Sequence, residues 1–247
     1  MAASPPYLLV TQLPPDGGTV ALSQDAQRHA RVLRLGAGDP LVLFDGMGAR
    51  SDATMVGSGR GAWVCHAQPP IREAEPLSKL TMILGLTKGD KLDTVVRMLT
   101  ELGVHQIGLG LCERTVPDPR SPELKRRRLE RIAVSACAQA RRAWVPRIEG
   151  PASLLQLARE APQTALRVVF WEATRGSPSE ALAPSSAAPP SEGSDMWVVV
   201  GPEGGLSVDE VGALEGSGYV KAGLGQTILR AETAAVAAAA VLTLAKP

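Results

Sequence analysis

Three runs in the last two thirds of the chain are apolar almost without a break: Leu80-Thr-Met-Ile-Leu-Gly-Leu86, Arg167-Val-Val-Phe-Trp171 and Met196-Trp-Val-Val-Val200. A strand that is apolar on both faces needs cover on both, as inside a parallel sheet flanked by helices. Helical patterns alternate with these runs. Leu92, Val95, Val96, Leu99 and Leu102 share one helix face, and Gly103 follows as a stop. Ser121-Pro122-Glu123 opens a helix that can run to about Ala140. Ile107, Leu109 and Leu111 read as a strand, as does Tyr219 to Ala222, and a last helix covers about Arg230 to Leu244. The alternation predicts an α/β domain over residues 76–247, a parallel sheet with helices on both faces.

The first 73 residues have another rhythm. Turn signals such as Pro14-Pro15-Asp16-Gly17-Gly18 and Gly36-Ala-Gly38-Asp39-Pro40 separate short runs such as Leu41-Val-Leu-Phe44 and Ala62-Trp-Val-Cys65. This predicts a small β-rich domain with one helix from about Ser23 to Leu33, capped by Ser23. Pro69-Pro70 and Pro76 bracket the expected linker. Residues 176–195, rich in Ser, Pro, Ala and Gly, read as a flexible insertion.

Composition narrows the function classes. No apolar run reaches the roughly 20 residues that span a bilayer, and the first residues lack the pattern of a signal peptide, so a cytoplasmic protein is expected. Cys65, Cys112 and Cys137 are scattered, which speaks against a disulfide framework or a metal site. The net charge of +1 gives no bulk attraction to nucleic acid. Yet nine basic residues fall between Arg120 and Arg147, either as a solvated helix face or as a phosphate-binding patch.

Two glycine-bearing segments near the end are candidates for chemistry. Gly201-Pro-Glu-Gly-Gly205 follows an apolar strand, and Ser207-Val-Asp-Glu210 behind it is a capping box. Such a turn is either ordinary strand-to-helix punctuation or a backbone cradle for a ligand. It lacks the Lys-Ser/Thr of a phosphate-binding loop and is not a dinucleotide fingerprint. In Leu224-Gly-Gln-Thr-Ile-Leu-Arg230-Ala-Glu232-Thr-Ala234, Leu224, Ile228 and Leu229 are apolar in a loop, where they can line a flat aromatic ligand. Arg230 opens a helix whose dipole disfavours a cation there, which points to a use for its charge or to a surface ion pair. His29, within Arg28-His-Ala-Arg-Val-Leu-Arg34, is either a half-buried histidine or an RNA contact.

Taken together, these strings resemble the bacterial SPOUT-class methyltransferases that act on N3 of a uridine in 16S ribosomal RNA. The matching residues are His29 to Arg34, Gly38-Asp39, Leu43 to Gly46, Lys88 to Lys91, Thr100 to Val104, Glu113-Arg114, Arg131 with Gln139, Arg142 and Pro146, Gly201 to Gly205, and Leu224 to Ala234. Ser135 and Met98 depart from the family pattern, which usually has Glu and often Lys there. The resemblance implies an N-terminal PUA-like β-barrel over 1–73 that grips RNA, and a trefoil-knotted methyltransferase domain over 76–247. It further implies a homodimer that binds S-adenosylmethionine and acts on small-subunit ribosomal RNA or the assembled subunit. Carried onto this sequence, the cofactor residues are Trp171, Gly201, Glu203, Gly205, Leu224, Gly225, Ile228 and Leu229. Arg230 and Glu232 are the catalytic candidates. His29, Arg34, Lys88, Arg114, Arg131 and Arg142 are the RNA contacts, and no metal is expected.

Two rivals remain at the level of sequence. One is a non-catalytic RNA-binding assembly factor with a vestigial pocket. The other is an enzyme for a phosphorylated nucleotide, which needs a Lys or hydroxyl at the Gly-rich turn, where only Ser207 is on offer.

Overall fold

The apolar runs form the middle of a parallel sheet in a computed structural model that describes residues 4–57, 63–87, 91–115, 122–174 and 193–244. The chain divides into two compact units, Met1–Glu75 with Val134–Val145, and Pro76–Ala133 with Pro146–Pro247.

The first unit contains β1 (Tyr7–Leu9), β2 (Gly18–Ala21), α1 (Gln24–Val32), β3 (Pro40–Phe44), β4 (Ala49–Gly57), β5 (Val64–Ala67) and β6 (Ile71–Arg72). They make a sheet of order β1-β3-β4-β5-β2, with β6 against β4. β1 runs parallel to β3 and the other pairings are antiparallel. Helix α1 starts as expected: the Ala26 amide donates to Ser23 Oγ at 3.2 Å, and Ala26 and Ala30 face the core.

Side chains alternate along a strand, and β1 and β3 are apolar at every step. Leu8, Leu41 and Leu43 therefore enter one cluster with Met55, Trp63 and Cys65. Tyr7, Val42 and Phe44 face the other way, onto Cys137, Val134, Ala138 and Val145. This second face is why residues 134–145 belong with the first unit, where the sequence had suggested a boundary only at 73–76. Trp144 completes the cover: it bridges to Met47, and a side chain on Gly48 would strike its ring.

The second unit contains β7 (Leu80–Gly85), α2 (Lys91–Glu101), β8 (Gln106–Leu111), α3 (Pro122–Ala140, its end in the first unit), β9 (Arg147–Ser153), α4 (Leu154–Arg159), β10 (Leu166–Phe170), β11 (Met196–Val200), α5 (Val208–Gly216), β12 (Val220–Ala222) and α6 (Ala231–Leu244). The sheet order is β12-β10-β11-β7-β8-β9, and every pairing is parallel. β7 and β11 are central and buried at every residue, as their apolar runs require. Among the described residues no helix is long and apolar enough to cross a membrane.

Candidate functional site

A cavity of about 490 Å³ opens where β10, β11 and β12 end, within the size range of small-molecule sites. Parallel sheets bind ligands at the carboxyl ends of their strands, where successive connections leave in opposite directions. Here β11 connects through α5 to β12 on one side of the sheet, and its neighbour β7 connects through α2 to β8 on the other.

The turn after β11 forms one wall. Leu206 is buried beneath it, 3.0 Å from where a Cβ on Gly201 would stand. A Cβ on Gly85, at the end of β7, would collide with Pro202, so the two strand ends touch backbone to ring. Gly205 takes φ +70, and a Cβ there would fall on the Glu172 carboxylate. Behind the turn Ser207 caps α5, accepting from the Glu210 amide at 3.2 Å. Glu210 is buried and accepts from the amides of Ser207 and Glu113, both at 2.9 Å, which pins the turn to the loop after β8. Arg114 in that loop donates to the Gly204 carbonyl at 3.0 Å.

The facing wall is the segment from Leu224 to Arg230, with Gly225 at φ +97. Its start is fixed to the end of β10, because the Trp171 amide donates to the Ala222 carbonyl at 3.1 Å. Arg230 lies at the cavity rim immediately before α6, and its carbonyl accepts from the Ala234 amide at 2.8 Å, opening the helix. Its side chain is exposed and pairs with no carboxylate of the described residues.

Lys91 also lines the cavity. Its Nζ lies 3.1 Å from Glu203 Oε1 and 3.9 Å from Glu232 Oε1. In the sequence Lys91 stands out only as the end of the Lys88 to Lys91 string. The available signal was a lysine at the start of a helix, where the dipole disfavours it. Glu172 was missed as well, and only its place directly after Trp171 could have suggested it.

All eight residues expected to bind a cofactor line this one cavity, together with Arg230. Glu232 does not: it borders a smaller adjoining cavity and faces Lys91, because it lies one residue inside α6 with its carboxylate turned toward α2. The residues expected to meet RNA are divided between the units. His29 and Arg34 lie in and just after α1, with Arg34 exposed at φ +57 and the His29 imidazole held below its ordinary pKa by burial. Arg142 is half-buried in the same unit, and its pKa is lowered by burial, with Glu73 and Cys137 opposing. Arg114 and Arg131 lie in the second unit, and Lys88 falls outside the described residues. Along α3 much of the basic run is matched by acids: Arg126 to Glu130, Arg127 to Glu123 and Arg128 to Asp93. Among the described residues, Arg131 has only the Arg127 carbonyl, at 3.4 Å.

The cavity suits a flat heteroaromatic ligand carrying positive charge. Backbone from two loops and the apolar groups of Pro202, Leu224, Ile228 and Leu229 offer planar packing, while Glu172 and Glu203 supply negative charge. A phosphorylated nucleotide fits poorly. Ser207 is spent on the cap, Lys91 is engaged by two carboxylates, and both carboxylates on the wall would repel phosphate. Among the described residues no cluster of side chains could hold a metal ion.

Comparison with known proteins agrees with this geometry. Residues 73–243 match the RNA methyltransferase domain family. Ribosomal RNA small subunit methyltransferase E of Mycobacterium bovis is 31% identical across 93% of this chain and 87% of its own. The protein of that name from Bacillus subtilis is 32% identical across 87% of this chain and 86% of its own. The crystal structure of ribosomal RNA small subunit methyltransferase E from Neisseria gonorrhoeae, bound to S-adenosyl methionine, superposes with a TM-score of 0.85 at 25% identity, covering 98% of each chain.

Proposed function

The chain belongs to the RNA methyltransferase family, and on that premise we propose that it uses S-adenosylmethionine to methylate N3 of a uridine in 16S ribosomal RNA. The observation that carries the reading is the single cavity that gathers both glycine-bearing loops and places Arg230 at its rim. In this reading the backbone of Gly201, Gly205, Leu224, Gly225, Ile228 and Leu229 holds the cofactor, with Trp171 and Glu203 beside it. S-adenosylmethionine supplies an electrophilic methyl group on a cationic sulfur that becomes a neutral thioether on transfer.

The harder half of the reaction is at the acceptor. Uracil N3 forms a bond to the methyl group and loses its proton, and negative charge spreads onto O2 and O4. A guanidinium at the rim is placed to meet that charge, the kind of fixed donor that lowers such barriers most. Arg230 is that group. Glu172 and Glu203 face the cavity and can take the proton. Glu232, turned toward Lys91, serves as a positioning group.

The first unit, as a PUA-like barrel, grips RNA through His29, Arg34 and Arg142, and Arg114, Arg131 and Lys88 contribute phosphate contacts from the second. A knotted path for the second unit is supported by α6, which follows edge strand β12 yet packs on α2 and β7. The enzyme acts in the cytoplasm as a homodimer. The test is to map methylated nucleotides in 16S ribosomal RNA from cells with and without the gene. Loss of one 3-methyluridine, restored by the wild-type gene, is expected; an unchanged map overturns the proposal.

A further inference from the structure

Beneath the Gly-rich turn a second cavity, of about 10 Å³, lies among the ends of β7 and β11 and the starts of α2 and α6. Its walls are apolar side chains and glycine backbone, apart from two side chains, Thr87 and Glu232. Each of these brings a buried oxygen, Thr87 Oγ1 and Glu232 Oε2, that has no hydrogen-bond partner among the described residues. Thr87 as a whole is only 7% exposed. A buried polar atom left without a partner is destabilising, and more so when it is charged. Two such atoms on one otherwise apolar cavity point to a shared polar occupant. A volume of this order admits about one water and nothing larger.

We propose that one buried water occupies this cavity, donating a hydrogen bond to Glu232 Oε2 and bonded to Thr87 Oγ1, and that Thr87 is thereby a positioning residue for Glu232. The two carboxylate oxygens then have separate partners: Oε1 faces Lys91 at 3.9 Å, and Oε2 is held by the water. Lys91 is shared in turn with Glu203 at 3.1 Å. The arrangement keeps Glu232 on the α2 side of the helix start and away from the large cavity. Arg230, two residues earlier, is left without a carboxylate partner where the acceptor base would develop charge. The effect on rate rests on the methyltransferase reading, whereas the water itself does not.

The test has a crystallographic and a kinetic arm. In a high-resolution crystal structure of the wild-type protein, a water is expected roughly 2.5–3.0 Å from both oxygens. Thr87→Val, which keeps the shape and removes the hydroxyl, should lose that water. Single-turnover methylation of ribosomal RNA should fall about tenfold in Thr87→Val at saturating RNA, by the positioning argument. Thr87→Ser should restore it, and the Kd for S-adenosylmethionine should stay within about twofold in both, since Thr87 does not line the large cavity. If Thr87→Val does not fold, Thr87→Ala takes its place with the same expectation. Absence of the water in the wild-type crystal overturns the proposal, as does a wild-type rate in the variant lacking the hydroxyl. A wild-type protein that methylates no ribosomal RNA would instead overturn the functional reading, and the crystallographic arm would still decide the water.

Discussion

Lys91 Nζ, at the first residue of α2, stands 3.1 Å from Glu203 Oε1 in the Gly-rich turn after β11. The pair joins the start of α2 to the turn that walls the cavity, across 112 residues of sequence. Both side chains are around two-fifths exposed, at 42% and 37%, so the pair adds less than about 1 kcal/mol to stability. Its importance is local. It fixes a positive charge on the wall of the cavity that Arg230 also lines, and occupies one of the carboxylates that line it.

Replacing Lys91 by Met removes that charge and keeps the bulk of the chain stem. The thermal midpoint should move little. The methylation rate should fall by about an order of magnitude, because a fixed positive group near the developing anion is lost. Cofactor affinity should hold or tighten, since Glu203 becomes free to face a cationic ligand. Calorimetry with S-adenosylmethionine beside single-turnover kinetics separates the two effects. A large loss of cofactor affinity with an unchanged rate at saturation would contradict this role.

Arg230→Ala is the sharper change. The side chain is exposed at the rim and pairs with no carboxylate of the described residues, so folding should be unaffected. The rate should drop by about 10²–10³, the usual loss for one electrostatic donor at a developing oxyanion. Arg230→Lys should recover part of it, since the charge survives but the planar fork does not. A variant without Arg230 that turns over normally would remove it from the mechanism.

Gly205 tests the cradle itself. Its φ of +70 costs a side chain about 1–2 kcal/mol. The added Cβ would also fall on the Glu172 carboxylate and push it into the cavity. Gly205→Ala should therefore weaken S-adenosylmethionine binding at least tenfold by calorimetry, with a modest fall in stability. Unchanged affinity would mean that the ligand does not approach this turn.

The second unit was legible because its central strands carry their burial in their composition. Leu80 to Gly85 and Met196 to Val200 are apolar at nearly every step, α2, α3 and α6 begin and end within a residue or two of their sequence signals, and α5 begins directly after its capping Ser207. β9 was not legible. It contains Gly150 and Pro151, which lower strand propensity, and it is tolerated because it lies at the sheet edge. β4 was hidden for a different reason: its inward positions include Ala49, Ser51 and Ala53, so an alternating strand lacked the bulky residues that reveal alternation. The cavity walls could be read from two loops. The Lys91 to Glu203 and Glu210 to Glu113 contacts could not, since each joins segments about a hundred residues apart that only the sheet order brings together.

Glu210 offers a stability test away from the chemistry. Its buried carboxylate takes hydrogen bonds from the amides of Ser207 and Glu113. Glu210→Ala leaves both donors unpaired, at a cost of about 1–3 kcal/mol each. Urea denaturation should show a lower midpoint with an unchanged slope. Glu210→Gln, which keeps one acceptor oxygen, should lose less. Equal midpoints for all three proteins would show that the turn is held by other contacts.

The three cysteines predict how stability varies at high pH. Burial pushes Cys65 and Cys137 from an ordinary 9.0 up to about 11. Cys112 rises to about 12, through burial first and then the nearby Glu210 carboxylate. In the unfolded chain these thiols ionise near pH 9, while in the fold they keep their protons, so above that pH the unfolded state binds fewer protons. Stability falls with rising pH wherever that holds. Their contribution is therefore fully present below about pH 9 and is lost as the pH climbs through 11 to 12. Tyr219, raised by burial, acts in the same direction, so the assignment needs variants. Urea midpoints should hold steady from pH 7 to about 8.5 and decline above it, and Cys65→Ala or Cys137→Ala should each make the decline shallower. Below pH 8.5 the folded protein should also resist thiol reagents that label the unfolded chain rapidly, because the reactive form is the thiolate. Rapid labelling of Cys65 in the native protein would contradict the burial on which the whole pH argument rests.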